Sequence, residues 1–375
     1  MSRKKGKAQQ RRVDWQQHFR SDEEDLSSRK QKFAPKAAKI PTWRLEAAEA
    51  NLEQLPKQEG MVVGLFPGGA IIRAEGRQLL CSVAGTFRPP EGSSALAVGD
   101  VVTVAMYMTA MGDTATDDKL RSEGMIIARA MRKTLLARPQ PRSGKHRDPY
   151  GDEAFLKVIA ANMDQLLIVA SMRQPRLRPA LIERFLIIAE RGDMRPLLAI
   201  NKTDLASAEM LAEAREALSI VRVDPIFLSA ATGAGLDELR GRLAAHRTVL
   251  AGASGVGKST LVNALIPGAT ALTRPVRLRD ERGRHTTAAA VVYDLADAGM
   301  LIDTPGVREL AVDMALTELS WYFPEFEAPA RECHFKDCTH THEPECAVIA
   351  AVEAEKIDPR RYESYLRLAE TCEQE

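Results

Sequence analysis

The stretch "VLAGASGVGKSTLVNAL", residues 249–265, decides the fold class of this chain. It contains two glycines separated by four residues and followed by Lys258 and Ser259, between an apolar run typical of a strand and one typical of a helix. The glycines let backbone N–H groups turn toward a phosphate group, and the helix N-terminus adds its positive dipole end. Chance produces this pattern in about one per cent of chains of this length. The stretch therefore predicts a nucleoside triphosphate site.

The residues of this loop have separate expected roles. Lys258 is expected to reach the β- and γ-phosphate oxygens and to act in catalysis, and Ser259 is expected to bind Mg²⁺. The other nucleotide contacts expected in the loop are Gly252, Ala253, Ser254, Gly255, Val256, Gly257 and Thr260.

Upstream of the loop, two kinds of pattern alternate. Short apolar runs such as "DQLLIVASM", residues 164–172, are typical of buried parallel strands, whereas amphipathic runs such as "PALIERFLIIAERGD", residues 179–193, are typical of helices. This alternation predicts an open α/β sheet, whose ligands bind at the carboxyl ends of the strands. Polar motifs that follow strands are therefore the candidates for recognising the base.

The tetrapeptide "NKTD", residues 201–204, follows the second strand and indicates guanine. Asp204 can accept hydrogen bonds from the N1–H and the exocyclic amine of guanine, and the stem of Lys202 can cover the ring. Adenine lacks these two donors, which disfavours a generic ATP-using enzyme. "SAATG", residues 229–233, ends the next strand, and backbone N–H groups around Ala230 are expected to contact the guanine oxygen. Without this context, NKTD would predict only a turn with Asp204 as a helix cap. The expected base contacts are Asn201, Lys202, Thr203, Asp204, Ser229 and Ala230.

Downstream of the loop, two segments have the character of nucleotide-sensing switches. "MLIDTPG", residues 300–306, places Asp303 at a strand end to hold Mg²⁺ through water, and the N–H of Gly306 is expected to contact the γ-phosphate. The polar segment 277–290 offers Thr287, with Thr286 as the alternative, to close over Mg²⁺. The two threonines could instead simply begin the strand "AAAVVYDL".

The order of these motifs predicts a circular permutation. Ordinary GTPases run from the phosphate loop through the switches to the base-reading motifs, whereas here the base-reading motifs come first. Permutation moves the termini and leaves the packing unchanged. The second switch then leads directly into the C-terminal part of the chain.

The segments that flank this α/β domain predict two further folded parts. Short apolar runs broken by Gly and Pro over residues 58–137 predict a five-stranded barrel of the OB type, which could bind RNA or act as a spacer. Residues 138–153 have the composition of an exposed linker. Residues 1–57 form a basic arm that we expect to be disordered, since the first 40 residues carry twelve Lys or Arg and five acidic residues. The arm could bind a polyanion or only keep the protein soluble.

The C-terminal sequence "CHFKDCTHTHEPEC", residues 333–346, predicts a structural zinc site. Three thiolates and an imidazole suit tetrahedral Zn²⁺ with no open position, and one ion per chain is expected. His334 and His342 are alternative ligands or surface residues. The predicted zinc ligands are Cys333, Cys338, His340 and Cys346. The domains expected are the arm 1–57, the barrel 58–137, the permuted α/β domain 138–312 and a zinc-binding helical domain 313–375.

In this order, the barrel, NKTD, SAATG, GASGVGKST, GRHTT, DTPG and the Cys-Cys-His-Cys knuckle resemble the ribosome small subunit-dependent GTPase A family of circularly permuted GTPases. The resemblance covers residues 58 to 370. It implies an OB-fold, a permuted G domain and a zinc domain. It also implies hydrolysis of GTP to GDP and phosphate, and binding to the 30S subunit and its 16S rRNA during late maturation.

One residue bears on the rate of hydrolysis. Val307 follows DTPG, at the position where many GTPases place a Gln that orients water, and its side chain cannot hydrogen-bond to water. Intrinsic hydrolysis is therefore expected to be slow. The resemblance implies that His285 helps to position water, although it could be only an exposed switch residue. Two functions remain open: a GTP hydrolase stimulated by the small subunit, and a GTP-dependent RNA-binding switch with incidental hydrolysis.

Composition and charge limit the other classes of protein. The longest apolar runs, such as "LLIVAS" at 166–171, are far shorter than the ~20 residues that span a bilayer. The N-terminus lacks the apolar core of a secretory signal, and the chain has only five cysteines. We therefore expect a cytoplasmic monomer that does not bind membranes.

Overall fold

The computed structural model describes residues 54–88, 95–107, 123–139, 156–266, 290–304 and 314–373. The predicted basic arm lies outside these residues except for its last four positions. From Leu55 onward the chain forms one compact unit. Within the described ranges, no helix is both long enough and apolar enough to cross a membrane.

The first folded part is a closed five-stranded barrel. Its order around the barrel is β1-β2-β3-β5-β4, with β3 and β5 parallel and the other neighbours antiparallel. This confirms the barrel of the OB type that the short apolar runs predicted. The strands are β1 Lys57–Phe66, β2 Gly69–Ala74, β3 Arg77–Val83, β4 Val101–Met106 and β5 Gly124–Arg129.

A buried ion pair fixes the chain where it enters β4. Asp100 is fully buried, and its two carboxylate oxygens accept hydrogen bonds from Arg132 Nε at 2.7 Å and Nη2 at 2.8 Å. The backbone N–H of Ala97 also donates to this carboxylate, at 2.7 Å. Next to it, Gly99 has φ +90°, and a Cβ there would lie 2.0 Å from the carbonyl oxygen of Ala161. Only glycine therefore lets the barrel approach the following hairpin this closely.

That hairpin was not identified from the sequence. It consists of β6 Leu135–Pro139 and β7 Leu156–Ala161, which pair antiparallel. Residues 138 and 139, which were assigned to a linker, lie in β6, so the expected boundary at 137/138 falls inside a strand. The rest of the predicted linker, residues 140–153, lies outside the described residues.

A six-stranded sheet forms the centre of the molecule, with the order β10-β9-β8-β11-β13-β12. Neighbouring strands are parallel except for the pair of β12 and β13. The strands are β8 Gln165–Ser171, β9 Arg195–Asn201, β10 Pro225–Phe227, β11 Arg247–Ala251, β12 Val291–Asp294 and β13 Met300–Asp303. The sheet consists of two halves, each continuous in sequence. They meet where β8 pairs with β11, and buried Gln165 donates a hydrogen bond to Thr248 there, at 2.9 Å.

Helices cover both faces of the sheet, as the alternating pattern predicted. They are α1 Pro179–Arg191, α2 Ala208–Leu218, α3 Leu236–Leu243 and α4 Lys258–Leu265. Helix α1 has proline at its first position, where a missing N–H costs nothing, and helix α2 begins after Ser207, whose hydroxyl accepts from the N–H of Met210. One hydrophobic cluster runs from the barrel over one sheet face to the C-terminal region, and a second fills the other face.

The C-terminal region packs around three aromatic rings. Phe323, Phe326 and Tyr365 have ring centroids 4.9 to 5.3 Å apart, within the range of favourable aromatic contacts. The helices here are α5 Leu316–Leu319, α6 Glu327–Ala330, α7 Ala347–Glu353 and α8 Pro359–Glu373. Because β13 ends at residue 303 and α5 begins at residue 316, this region follows directly after the sheet.

A buried ion pair fastens α8 to α1. Arg361 donates from Nη1 to Glu183 at 2.5 Å and from Nε to Glu325 at 2.5 Å, and its guanidinium lies 4.7 Å from the ring centroid of Phe323. Arg361 and Glu183 are 6% and 4% exposed. Burial acts to lower the pKa of Arg361, but the two carboxylates outweigh it and raise that pKa. The guanidinium is therefore charged and paired inside the fold.

Removing the cation should leave a buried carboxylate without its partner. We expect Arg361→Met to lower the free energy of unfolding by about 3–5 kcal/mol, because breaking a buried pair costs more than the pair contributes. Urea unfolding measures this. The matched control is Arg360→Met, one residue away, because Arg360 is exposed and pairs with Glu216 and Asp358 at the surface. The control should keep the parent's unfolding midpoint, and equal midpoints for both variants would contradict a role of Arg361 in fastening the helices.

Candidate nucleotide and metal sites

The phosphate loop connects β11 to α4 with a backbone that only glycine permits. Gly252 has φ +141°, and a Cβ there would lie 2.3 Å from the carbonyl oxygen of Val169. Gly257 has φ +95°, and a Cβ there would lie 2.4 Å from Asn201 Nδ2. Both glycines are thus required by close approach of neighbouring strand ends, which explains the spacing of the motif.

Lys258 is buried at the start of α4. Its ammonium group donates to the carbonyl oxygens of Gly252, at 2.7 Å, and Ala253, at 2.6 Å. The charge therefore lies against the loop in which the phosphates are expected. Ser259 and Thr260 are exposed on the first turn of the helix.

Asn201 joins three loops through one amide group. Its Nδ2 donates to the carbonyl oxygen of Val256 at 2.9 Å, and its Oδ1 accepts from the N–H groups of Lys202, at 2.8 Å, and Ala230, at 3.0 Å. The residue is 2% exposed. The N–H of Ala230, which the sequence assigned to the guanine oxygen, is therefore engaged with Asn201 here. Asn201 acts as a brace between the base-reading loops and the phosphate loop.

Asp204 is presented to solvent by Ser229. One carboxylate oxygen of Asp204 accepts from the hydroxyl of Ser229 at 2.5 Å, and that hydroxyl accepts from the N–H of Thr232 at 3.2 Å. Ser229 is 1% exposed, whereas Asp204 is exposed. The second oxygen of Asp204 has no hydrogen bond within the described part of the chain. This arrangement suits a carboxylate that is expected to accept hydrogen bonds from a base. Ser229 was predicted as a nucleotide contact, and its hydroxyl here orients Asp204.

Lys202 links the base-reading loop to two neighbours. It has φ +64°, and its ammonium group donates to the carbonyl oxygens of Gln174 and, at 2.6 Å, of Gly255. Nothing in the sequence pattern indicated Gln174, because the contact is to a backbone atom of a loop without a motif.

Asp303 lies beside the phosphate loop. It is half-buried at the end of β13, and in the register of the sheet it faces Leu250, two residues before the loop begins at Gly252. Burial, with a further contribution from Asp303, raises the pKa of Tyr293 on β12. The other predicted switch residues lie outside the described residues: His285, Thr286, Thr287, Gly306 and Val307.

The four predicted zinc ligands come together at the C-terminus. Their ligand atoms all lie within 4.8 Å of one another, and the ligands are Cys333, Cys338, His340 and Cys346. The Sγ atoms of Cys333 and Cys346 are 3.9 Å apart, close to the ~3.8 Å between two thiolates of a tetrahedral zinc site. Burial lowers the pKa of His340, which favours the neutral imidazole that binds metals, and raises the pKa of Cys338 to about 12. A bound zinc ion would take the place of the thiol protons.

The alternative zinc ligands point elsewhere. His334 and His342 are exposed. Nδ1 of His334 lies 3.6 Å from Glu345, and Nδ1 of His342 lies 2.8 Å from the hydroxyl of Thr341. The structure therefore places His340, and neither of these two histidines, with the three cysteines.

Glu343 holds the turn that carries His340, a role that the sequence did not reveal. Its carboxylate accepts from the N–H and hydroxyl of Thr339, at 2.6 and 2.5 Å, and from the N–H groups of Thr341 and His342. Burial opposes ionisation of Glu343, but these hydrogen bonds outweigh it and lower its pKa to about 2. On the other side, the hydroxyl of Tyr362 donates to the carbonyl oxygen of His340 at 2.9 Å. The turn is thus fixed by side chains outside the ligand set.

A mostly parallel sheet with a phosphate loop, an exposed carboxylate in an NKTD motif and this order of strands is typical of a circularly permuted GTPase. The family model of the RsgA GTPase matches residues 130–313. The "Small ribosomal subunit biogenesis GTPase RsgA" of Gemmatimonas aurantiaca is 37% identical over 298 residues, covering 78% of this chain and 90% of the relative. That of Burkholderia pseudomallei is 38% identical over 319 residues, covering 82% and 92%. The chain belongs to the RsgA GTPase family and is a GTP hydrolase.

Solved structures agree with this assignment. The crystal structure of YjeQ from Thermotoga maritima matches with a TM-score of 0.63 and 31% identity, covering 84% of this chain and 99% of that one. YloQ, a circularly permuted GTPase, matches with a TM-score of 0.59 and 27% identity, covering 85% and 96%. The permutation inferred from motif order is therefore confirmed. We call residues 156–304 the G domain below.

The reading of guanine by Asp204 can be tested by exchanging donors and acceptors. Asp204→Asn should weaken GTP binding by about 10²- to 10⁴-fold, because two hydrogen bonds to a charged acceptor are lost. The variant should prefer xanthosine triphosphate, whose extra carbonyl suits an amide donor. Ser229→Ala, which removes only the group that orients Asp204, should weaken GTP binding by about tenfold. Fluorescent-nucleotide titrations measure the affinity of both variants. Unchanged GTP affinity in Asp204→Asn would contradict the assignment of Asp204 to the base.

The metal cluster makes a separate prediction. The purified protein should contain one zinc ion per chain, and Cys338→Ser should lose it and unfold its C-terminal region at lower temperature. Cys372→Ser is the control, since Cys372 lies outside the cluster and its variant should retain zinc. Elemental analysis of protein purified under reducing conditions decides the point, and a protein without zinc would contradict it.

Proposed function

We propose that the chain is a cytoplasmic monomer that binds the 30S ribosomal subunit through its 16S rRNA and hydrolyses GTP to GDP and phosphate late in subunit maturation. The proposal depends above all on the matches to two relatives that are named for small-subunit biogenesis. Each match covers 90% or more of the relative's length. The nucleotide loops support it, because Asn201 joins the NKTD loop to the phosphate loop and Asp303 ends the strand beside the one that leads into that loop.

The residues divide the work of hydrolysis as follows in this proposal. Asp204 binds the base, the loop from Gly252 to Thr260 binds the phosphates, and Lys258 stabilises charge on the phosphoryl group. Magnesium would be held by Ser259, Thr287 and Asp303, and it would neutralise charge on the phosphate oxygens. His285 positions the attacking water, because Val307 cannot. Gly306 contacts the γ-phosphate through its N–H.

The four-residue zinc cluster, the barrel and the basic arm supply the partner-binding surfaces in this proposal. Each is separated in sequence from the nucleotide site, and a large RNA surface can engage all of them together. Such binding releases condensed counterions and therefore weakens steeply with salt. The alternative, a GTP-dependent RNA-binding switch, is favoured by Val307, which predicts slow turnover. Stimulation of hydrolysis by the subunit distinguishes the two.

Single-turnover hydrolysis with saturating 30S subunits tests the proposal. We expect slow hydrolysis by the free protein, strong acceleration by subunits, loss of acceleration with added salt, and little acceleration in His285→Ala. GTP binding should survive that substitution, because His285 is assigned to water rather than to nucleotide. A parent-like rate in His285→Ala would remove its catalytic role. No acceleration of the parent would leave the RNA-binding switch as the better description.

A further inference from the structure

The loop between β8 and α1, residues 172–178, carries three arginines within six positions; we call it the arginine loop. Arg173, Arg176 and Arg178 are all exposed, and none of their guanidinium groups has a hydrogen bond or an ion pair with any residue that the structure describes. Exposed arginines whose guanidinium groups have no described partner also occur at Arg195, Arg242 and Arg247, but the arginine loop gathers three of them within six positions. Other surface arginines do pair with carboxylates: Arg222, Arg240, Arg331, Arg360 and Arg367.

The arginine loop is held in place by its backbone. The hydroxyl of Ser171 donates to the carbonyl oxygen of Pro175 at 2.8 Å, and the N–H of Met172 donates to that of Asn201 at 3.0 Å. Lys202 donates to the carbonyl oxygen of Gln174 and also to that of Gly255 in the phosphate loop. The loop is therefore anchored at the nucleotide end of the sheet while its guanidinium groups face outward. A fixed backbone lowers the entropy lost when those groups bind a partner.

Open grooves flank the loop on two sides. A groove of 720 Å³ toward α2 is lined by Arg173 and Arg176, and its lining contains one carboxylate, Glu213, among the described residues. A cavity of 210 Å³ toward the phosphate loop is lined by Arg176 and Arg178 and contains no described carboxylate. The guanidinium groups of the arginine loop are therefore accessible on both of its sides and have little negative charge nearby.

The guanidinium groups of the arginine loop favour one kind of ligand. A guanidinium group presents a planar fork of donors that matches phosphate oxygens, and it is weakly hydrated compared with an ammonium group. Three such groups spread over both sides of a loop suit a chain of regularly spaced anions better than one small anion. A nucleic acid backbone is that kind of ligand, and its repeated phosphates give binding without a need for sequence recognition.

We propose that the arginine loop is an RNA-binding surface of the G domain, in which Arg173, Arg176 and Arg178 contact phosphodiester groups of the backbone. The identity of the RNA rests on the proposed function, since the small subunit would present it. The surface is additional to the arm, the barrel and the zinc cluster. It places bound RNA next to the phosphate loop, through the contacts of Lys202 with Gln174 and Gly255.

The direct test is the salt dependence of RNA binding. The probe is a mixed-sequence, fluorescently labelled A-form RNA duplex, titrated by anisotropy with the full chain at several salt concentrations. The variant Arg173→Ala/Arg176→Ala/Arg178→Ala should bind about 10- to 100-fold more weakly near 0.1 M salt. Its negative slope of log K against log salt should become less steep by about 2 to 3. Replacing the three arginines by lysine should retain most of the slope, because lysine also contacts phosphates.

A matched control removes the same charge from the other end of the sheet. Arg195 and Arg247 begin β9 and β11, Arg242 lies on α3, and all three are exposed. Arg195→Ala/Arg242→Ala/Arg247→Ala has the same net charge as the test variant and should bind the duplex with the parent's slope. All variants should bind GTP within about twofold of the parent, which shows that the phosphate loop is intact.

The outcomes separate this inference from the proposed function. If the test variant and the control lose the same amount of slope, general charge explains binding and the inference is wrong. If the test variant loses binding to 30S subunits but keeps its slope on the duplex, the loop contacts a ribosomal protein and the inference is again wrong. If the parent does not bind 30S subunits, the proposed function fails, while a selective loss of slope on the duplex would still support the arginine loop.

Discussion

The side-chain amide of Asn201 is the interaction on which the nucleotide site depends. It bonds to three loops that follow three different strands, and it is almost completely shielded from water, so each of its hydrogen bonds replaces one that water would otherwise supply. Gly257 has to be glycine because this amide lies against it. The base-reading and phosphate-binding parts are therefore held together mainly by this buried amide, with the bond from Lys202 to Gly255 as a second and more exposed link.

Much of this architecture could be predicted because its determinants are local. The run "AEMLAEAREAL" has helical periodicity and a serine before it, and it forms α2 over the same eleven residues. The glycines of the phosphate loop and the spacing of the zinc ligands have narrow geometric requirements, so their patterns rarely arise by chance. The order of motifs was enough to identify the permutation, because a sheet edge collects the ends of strands whatever their order along the chain.

The remaining features depend on contacts that have no sequence pattern. Arg361 and Glu183 are 178 residues apart, and each alone resembles a surface residue on an amphipathic helix. Glu343 appeared to be one more acidic residue between zinc ligands, although four donors converge on it. The hairpin of β6 and β7 was missed because its strands are short and are separated by a polar segment. In each case the partner is chosen by the tertiary fold, which a local reading does not contain.

The division of the central sheet into two continuous halves has a consequence for synthesis of the protein. Strands β8, β9 and β10 leave the ribosome as a complete three-stranded unit before β11 exists. Until then β8 has an unpaired edge made of buried residues, including Gln165, whose amide has not yet met Thr248. An open apolar edge is the kind of surface that aggregates or recruits chaperones during translation. Permutation therefore leaves the finished sheet unchanged, but during translation there is a period in which β8 has an exposed edge. This period ends when β11, the strand before the phosphate loop, pairs with β8.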